Sequence, residues 1–102
     1  MIDDSGMIPK VKIVGSAISP DEGIEMTTLD GENFSVFNTT LLTGNAQFDI
    51  DGSLYGGNDF PAGFANSNSI GIPIIAGEYS SITFNTITGV YIFKSKIIIP
   101  SI

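Results

Sequence analysis

The sequence predicts an all-β protein, a single-domain antiparallel β-sandwich of jelly-roll type. Short runs of alternating apolar and polar residues are separated by turn residues about every 8–12 positions, as in sandwiches and jelly rolls. No window of about 12 residues shows the 3.6-residue period of a helix. The chain also contains 17 isoleucines against 4 leucines, and β-branched side chains favour strands. Its 102 residues are the size of one domain.

The first half of the chain contains four predicted strands. Residues 1–9 are predicted to be a flexible N-terminal arm, because Asp, Ser and Gly favour coil and Pro9 interrupts pairing. The sandwich domain then spans 10–102, with strands at 10–14, 24–29, 33–39 and 46–52. Asp30-Gly31 predicts a hairpin between the second and third strands. Phe37 breaks the alternation of the third strand, which indicates either a bulge or a strand with two apolar faces.

The second half is predicted to begin with a long loop and end with four strands. Residues 56–69 contain four Gly or Pro and three Asn, and a loop of this length is typical of a functional or mobile segment. The strands are predicted at 70–75, 79–85, 89–94 and 96–99.

The composition excludes several classes of function. The chain has no His, Cys, Arg or Trp, so the usual groups for acid–base catalysis, thiol chemistry and phosphate binding are mostly missing. We therefore predict no enzyme activity and no cofactor. A net charge of −7 argues against nucleic acid as a partner, and no apolar run is long enough for a membrane helix. The acidic N-terminus does not fit a signal peptide. The basic residues are Lys10, Lys12, Lys94 and Lys96.

The apolar termini predict a subunit interface. Only 15% of residues are charged, against about 25% in ordinary soluble domains, which favours a surface partly covered by a partner. A run of consecutive isoleucines near the C-terminus makes both faces of the last predicted strand apolar, so both faces need a cover. We predict a homo-oligomer or a larger assembly. The predicted interface residues are Met7, Ile8, Ile97, Ile98, Ile99 and Ile102.

Three acidic residues form a weak candidate for a metal site. Asp49 and Asp51 are two apart and precede Gly52, as in the start of a calcium loop, and Asp59 lies downstream. The pattern is incomplete, because Phe60 stands where a calcium loop has its final Glu. An alternating strand followed by a turn explains Asp49 and Asp51 equally well. A calcium-stabilised β-domain remains one alternative.

Aromatic and polar residues in and beside the long loop provide a second alternative, a glycan-binding module. Aromatic rings in a Gly- and Asn-rich loop are able to stack on sugars. The competing interpretation is that Phe60 and Phe64 plug the open end of the sandwich, as large side chains often do. The candidate ligand residues are Tyr55, Asn58, Asp59, Phe60 and Phe64.

The segment from 34 to 93 resembles small β-sandwich virion proteins of bacteriophages. The resemblance rests on a strand ending in Asn at 34–38, a strand at 46–50, the Gly-Ile-Pro and Ala-Gly-Glu turns within 71–78, and the strands at 82–84 and 88–92. It covers about the last two thirds of the chain. It implies a non-enzymatic structural subunit in the virion, such as a capsid decoration, minor capsid or tail-associated protein. Its partners would be other virion subunits.

Overall fold

The structure is a computed structural model that describes residues 8–19, 22–67 and 70–96. These residues form ten β-strands and no helix, and so contain no helix able to cross a membrane. The strands are β1 (Val11–Val14), β2 (Ile24–Glu25), β3 (Thr27–Thr28), β4 (Asn33–Leu41), β5 (Gly44–Ile50), β6 (Ser53–Tyr55), β7 (Ala62–Phe64), β8 (Ile72–Ile74), β9 (Gly77–Asn85) and β10 (Val90–Ser95).

The strands pair into two antiparallel sheets that pack face to face. Sheet 1 has the order β3-β4-β9-β10-β7. Sheet 2 has the order β2-β1-β5-β6, and β8 also pairs with β5. This arrangement confirms the predicted all-β fold and the single-domain antiparallel sandwich.

The core lies between the inner faces of the two sheets and is built on large rings. Phe48 of sheet 2 stacks on Phe84 of sheet 1, and it also approaches Tyr91 and Phe93. Along each strand the buried residues alternate with outward ones, as a pleated sheet requires. In β5, for example, Ala46 and Phe48 are fully buried while Gln47 points outward.

The inward and outward alternation of β4 changes near Asn38, while its pairing register with β9 stays constant. Asn38 has a positive φ of 51°, so Phe37 and Asn38 are both exposed in succession. The inward set then changes from Phe34 and Val36 to Leu41. Phe34 and Val36 face the core while Phe37 faces outward, so this part of β4 has two apolar faces, which is the second of the two interpretations. The irregularity in register lies in β9, between Tyr79 and Ser81, where β9 pairs with β10.

Two hairpins turn at an Asp-Gly pair, and the first of them was predicted, whereas the second lies within the strand predicted at 46–52. In the β3–β4 hairpin, Asp30 Oδ1 accepts backbone hydrogen bonds from Glu32 at 2.9 Å and Asn33 at 2.8 Å. These hydrogen bonds hold the pKa of Asp30 well below its ordinary value, and the bond from the Asn33 N–H has the largest effect. The β5–β6 hairpin turns at Asp51-Gly52, where both residues have positive φ.

Several strand predictions were wrong in detail. The predicted strand 24–29 is split, because the buried Met26 marks the point where the chain passes from sheet 2 to sheet 1. The predicted loop 56–69 contains β7, which pairs with β10, and β6 was not predicted at all. The strand predicted at 96–99 falls outside the described residues except for Lys96.

Candidate functional site

The candidate site is the outward-facing surface of sheet 1, which we call face A. Cross-strand partners share a face of a sheet, so the strand register defines its rows. One row crosses all five strands of the sheet, from β3 to β7. It consists of Thr27, Ser35, Thr83, Ile92 and Ala62. Face A is therefore one continuous surface built from segments far apart in the sequence.

Large apolar side chains stand exposed on face A. Phe64 is 66% exposed and lies opposite Val90, and Ile92 is 46% exposed and lies opposite Ala62. Phe37, which follows the inward-facing Val36, is 62% exposed and lies opposite Ser81. Phe64, Val90, Ile92 and Ala62 thus form an apolar stripe along β7 and β10, with Phe37 on β4.

The polar side chains of face A bond to one another or to the sheet. Asn85 Nδ2 donates to Asn33 Oδ1 at 2.8 Å across β9 and β4. Thr27 Oγ1 donates to the Ser35 carbonyl oxygen at 3.3 Å. Hydrogen bonds made within the protein lower the desolvation cost of covering such groups.

Charge is sparse on the strand rows of face A. Its charged side chains among the described strand residues are Lys94 and, at one end, Glu78. Lys96, which follows β10, pairs with Glu78 at an N···O distance of 3.7 Å. Face A therefore carries Lys94, Lys96 and Glu78, and the Asp30 carboxylate borders it beside Asn33, in a chain whose net charge is −7.

The outward-facing surface of sheet 2, which we call face B, is different. One of its rows reads Glu25, Lys12, Asp49 and Leu54 across four strands, so its first three positions alternate in sign. Alternating charges of this kind are typical of a solvated sheet surface. The two faces of the sandwich therefore differ sharply in character.

The loop residues proposed as glycan ligands lie in several places. Phe60 packs against the rings of Phe93 at 5.7 Å and Tyr79 at 6.3 Å, so it plugs one end of the sandwich as expected. Tyr55 packs against the core, and Asn58 and Asp59 are exposed on the loop. Phe64 does not plug the sandwich, because it points outward on β7 in face A.

The loop itself is fixed around the hydroxyl group of Tyr91. Tyr91 Oη donates to the Asp59 carbonyl oxygen at 2.5 Å. A Cβ at Gly57 or at Gly63 would lie 3.0 Å from this hydroxyl, so glycine permits the close approach. Burial raises the pKa of Tyr91, and the negative charge of Asp59 raises it further. Gly57 and Gly63 thus allow the loop to pack closely around the buried side chain of Tyr91.

The acidic candidates do not gather into a metal site. Asp49 Oδ1 accepts a hydrogen bond from the Gly52 N–H at 2.7 Å, and Asp51 Oδ1 accepts one from the Lys10 N–H at 3.0 Å. Among the described residues, no group of three or more acidic, His or Cys side chains is placed to hold a metal ion. Asp59 therefore does not join Asp49 and Asp51, and these two stabilise the hairpin turn beside lysines.

The predicted interface residues at the termini lie mostly outside the described residues. This holds for Met7, Ile97, Ile98, Ile99 and Ile102. Ile8 is described and exposed. It lies beside the β3–β4 hairpin, since a Cβ at Gly31 would be 3.7 Å from Ile8 Cγ1.

The sequence did not identify Val90 and Ile92 as site residues. The run Val90-Tyr91-Ile92-Phe93 is apolar throughout. Its pattern therefore did not show which face of β10 lies in the core. The larger rings, Tyr91 and Phe93, take the inner face. Within β10, ring size was the available signal, because Tyr and Phe bury more area than Val and Ile.

Comparison of the chain with protein-family models, with curated proteins and with solved structures found no match. The inference of function therefore starts from the geometry and charge of the described surfaces.

Proposed function

We propose that this chain is a non-enzymatic structural subunit that associates through face A with another copy of itself. The observation that carries the proposal is the apolar stripe of face A, led by Phe64 and Ile92. Scattered exposed apolar residues are ordinary, whereas a contiguous group on one sheet face is typical of an interaction surface.

Sheet geometry supports stacking at this face. Two sheets packed face to face interlock their side chains about 10 Å apart. Face A offers an extended row across five strands, with large side chains at both sides and small Ser and Thr between them. A second copy is able to place its own large side chains over these small ones.

Charge favours face A over the rest of the surface. Two copies with a net charge of −7 each repel one another. Face A carries two lysines against Glu78 and the bordering Asp30, so approach through it brings together no excess of carboxylates. Stacking through face B would instead desolvate Lys12, Glu25 and Asp49, which costs free energy unless each charge is paired again.

The setting we propose is a virus particle, with other virion subunits as further partners. This part rests on the resemblance to small virion proteins of bacteriophages. A rigid sandwich with one associating face is suited to such a role. The absence of His, Cys and Arg from the chain supports a non-enzymatic subunit. Immunogold labelling of purified particles with an antibody to the chain tests this setting.

The test of self-association is the solution mass of the purified chain across a wide range of concentrations. We expect a discrete oligomer by light scattering after size exclusion. Phe64→Ser and Ile92→Ser should shift it towards monomer while the circular dichroism spectrum is retained.

Leu54→Ser is the matched control, because Leu54 is an exposed apolar residue on face B. It should leave the mass unchanged. A wild-type monomer at every concentration, or an equal loss of association in all three variants, would contradict assembly through face A.

A further inference from the structure

A groove lies on face A at the edge of sheet 1 that β3 forms. Its volume is about 270 Å³, and its lining includes Thr27, Leu29, Asn33, Ser35 and Phe37. The side chain of Leu29 is fully exposed, and the ring of Phe37 is also exposed. The small side chains of Thr27 and Ser35 leave space between these two apolar groups. We call this feature the edge groove.

Phe64 stands at the opposite edge of the same face. The central strand of sheet 1 is β9, with β3 at one edge and β7 at the other. Every neighbouring pair in the sheet is antiparallel, so β3, β9 and β7 run in the same direction. Two residues beyond the row that joins Thr27 to Ala62, Leu29 lines the edge groove and Phe64 projects from β7. About 19 Å, or four strand spacings, separates the two edges, so Phe64 does not reach the edge groove of its own chain.

We propose that face A closes a two-fold symmetric dimer in which Phe64 of each copy fills the edge groove of the other. The two-fold axis runs along β9. Rotation about this axis reverses the order of the strands, so β7 of one copy lies over β3 of the second copy, and β10 lies over β4. A contact of this kind is self-complementary and closes at two copies. The proposal rests on the proposed function, because it assigns the geometry with which face A associates.

The row that crosses the sheet matches itself under this rotation. Ile92 comes to lie over Ser35 of the second copy, and Ala62 over Thr27, while Thr83 faces its own counterpart on the axis. Large side chains thus meet small ones, as in sheets that interlock about 10 Å apart. A two-fold axis running across the strands would instead place β7 on β7 and β10 on β10. The largest side chains would then crowd together, and the edge groove would stay unfilled.

The size and the polar groups of the edge groove fit a phenyl ring. An engineered apolar cavity of about 150 Å³ binds benzene, so a groove of about 270 Å³ accommodates the ring of Phe64. The charged group in the lining is Asp30. Its carboxylate already accepts hydrogen bonds from the N–H groups of Glu32 and Asn33, and these bonds lower the cost of covering it.

The other charges of face A are compatible with this arrangement. Lys94 lies in the row of Ser81 and Phe37, so its aliphatic stem comes over the Phe37 ring of the second copy while its ammonium group stays in water. Glu78, at the end of β9, comes near Glu78 of the second copy. Each Glu78 keeps its own Lys96 at an N···O distance of 3.7 Å, so the pair of carboxylates is balanced by two lysines.

Complementation between two variants tests the reciprocal contact. Phe64→Ser removes the ring, and Ser35→Lys obstructs the edge groove with a long charged side chain. Each variant alone should form a weaker dimer than the wild type in sedimentation equilibrium. An equimolar mixture restores one of the two contacts, because the open groove of the first variant receives the Phe64 ring of the second. We expect the dissociation constant of the mixed dimer to be about tenfold lower than that of either variant alone.

Leu54→Lys is the matched control, because it adds the same positive charge to face B, and it should leave the dimer unchanged. A wild-type monomer would overturn both the proposed function and this arrangement. If Phe64→Ser weakens association but Ser35→Lys has no effect, or if the mixture restores nothing, face A remains the interface and the reciprocal contact is wrong. A mass that grows beyond a dimer also overturns the proposal, because it indicates contacts that do not close.

A second test uses the wild-type chain and needs no variant to fold. Nuclear Overhauser contacts between molecules are recorded in a sample that mixes ¹³C-labelled and unlabelled copies. Contacts from the Phe64 ring to methyl groups of Leu29 or Thr27 support the proposal, because these groups lie at opposite edges of the sheet within one chain. Contacts from the Phe64 ring only to methyl groups of Val90 and Ile92 in the other copy overturn it, as does the absence of any contact between copies.

Discussion

Phe48 and Phe84 join the two sheets through a parallel stack, with ring centroids 4.2 Å apart and an angle of 3° between the ring planes. Phe48 pairs in register with Ile13 in sheet 2, and Phe84 with Phe34 and Tyr91 in sheet 1. Because all five side chains are buried, this stack holds the two layers at the centre of the core.

The stack predicts a large loss of stability for Phe84→Ala. Removing a buried ring costs about 3–5 kcal/mol through lost burial and the cavity left behind. Phe37→Ala removes the same ring from the exposed face A and should change the unfolding free energy of the monomer by less than about 0.5 kcal/mol. Urea unfolding measures both. Comparable losses in the two variants would show that the stack is not central to stability.

Replacing Gly56 by Ala is predicted to cause a steric clash, whereas replacing Gly52 by Ala is predicted to cause only backbone strain. A Cβ at Gly56 would lie 1.6 Å from the Ile70 carbonyl oxygen, whereas a Cβ at Gly52 meets nothing within 4 Å. Gly56→Ala should therefore displace the backbone and abolish cooperative unfolding or lower the Tm severely. Gly52→Ala should cost only about 1 kcal/mol, because Gly52 has a positive φ of 97°. Thermal unfolding of both variants compares the two, and equal effects would contradict the close approach at Gly56.

The local features of the fold were predictable from the sequence, because their causes are local. The hairpin at Asp30-Gly31 depends only on residues of the turn itself. The alternation of Ala46, Gln47 and Phe48 depends only on the sequence of one strand. Phe37 also indicated the second apolar face of its strand, because it directly follows the inward-facing Val36.

The features that were missed depend on distant partners. One predicted strand divides at Met26, whose N–H still donates to the Val11 carbonyl oxygen in sheet 2, whereas Thr27 already pairs with Ser35 in sheet 1. No local pattern encodes these pairings. Phe64 and Val90 share face A only because β7 pairs with β10. Pairing of segments this far apart follows from packing of the whole core, so the apolar stripe was not visible in the sequence.

Asp30 predicts a specific acid sensitivity of the β3–β4 hairpin. Hydrogen bonds from the Asn33 and Glu32 N–H groups hold the pKa of Asp30 below its ordinary value of 3.8. Because the folded-state pKa lies below the unfolded-state pKa, the ionised carboxylate contributes stability above pH 3.8. This contribution is lost as the pH falls towards the folded-state pKa.

The matched variant is Asp30→Asn, which does not titrate and whose side-chain oxygen can still accept the backbone hydrogen bonds from Glu32 and Asn33. It loses the bond that Asp30 Oδ2 accepts from Asn33 Nδ2 at 2.9 Å. Urea midpoints measured from about pH 5 to about pH 2 should fall more steeply for the wild type than for this variant. Parallel curves would show that the turn hydrogen bonds do not depend on the charge of Asp30.

Face A predicts that self-association strengthens with salt. Each copy carries a net charge of −7, and the Debye length falls from about 30 Å at 0.01 M to about 3 Å at 1 M salt. Screening therefore removes the repulsion between copies, while the contacts of Phe64, Ile92 and Phe37 are apolar and are not screened. Sedimentation equilibrium should show a lower dissociation constant at high salt. Phe64→Ser and Ile92→Ser should associate more weakly than the wild type at every salt concentration. The opposite salt dependence would indicate an interface held by ion pairs, which is the chemistry of Glu25, Lys12 and Asp49 on face B.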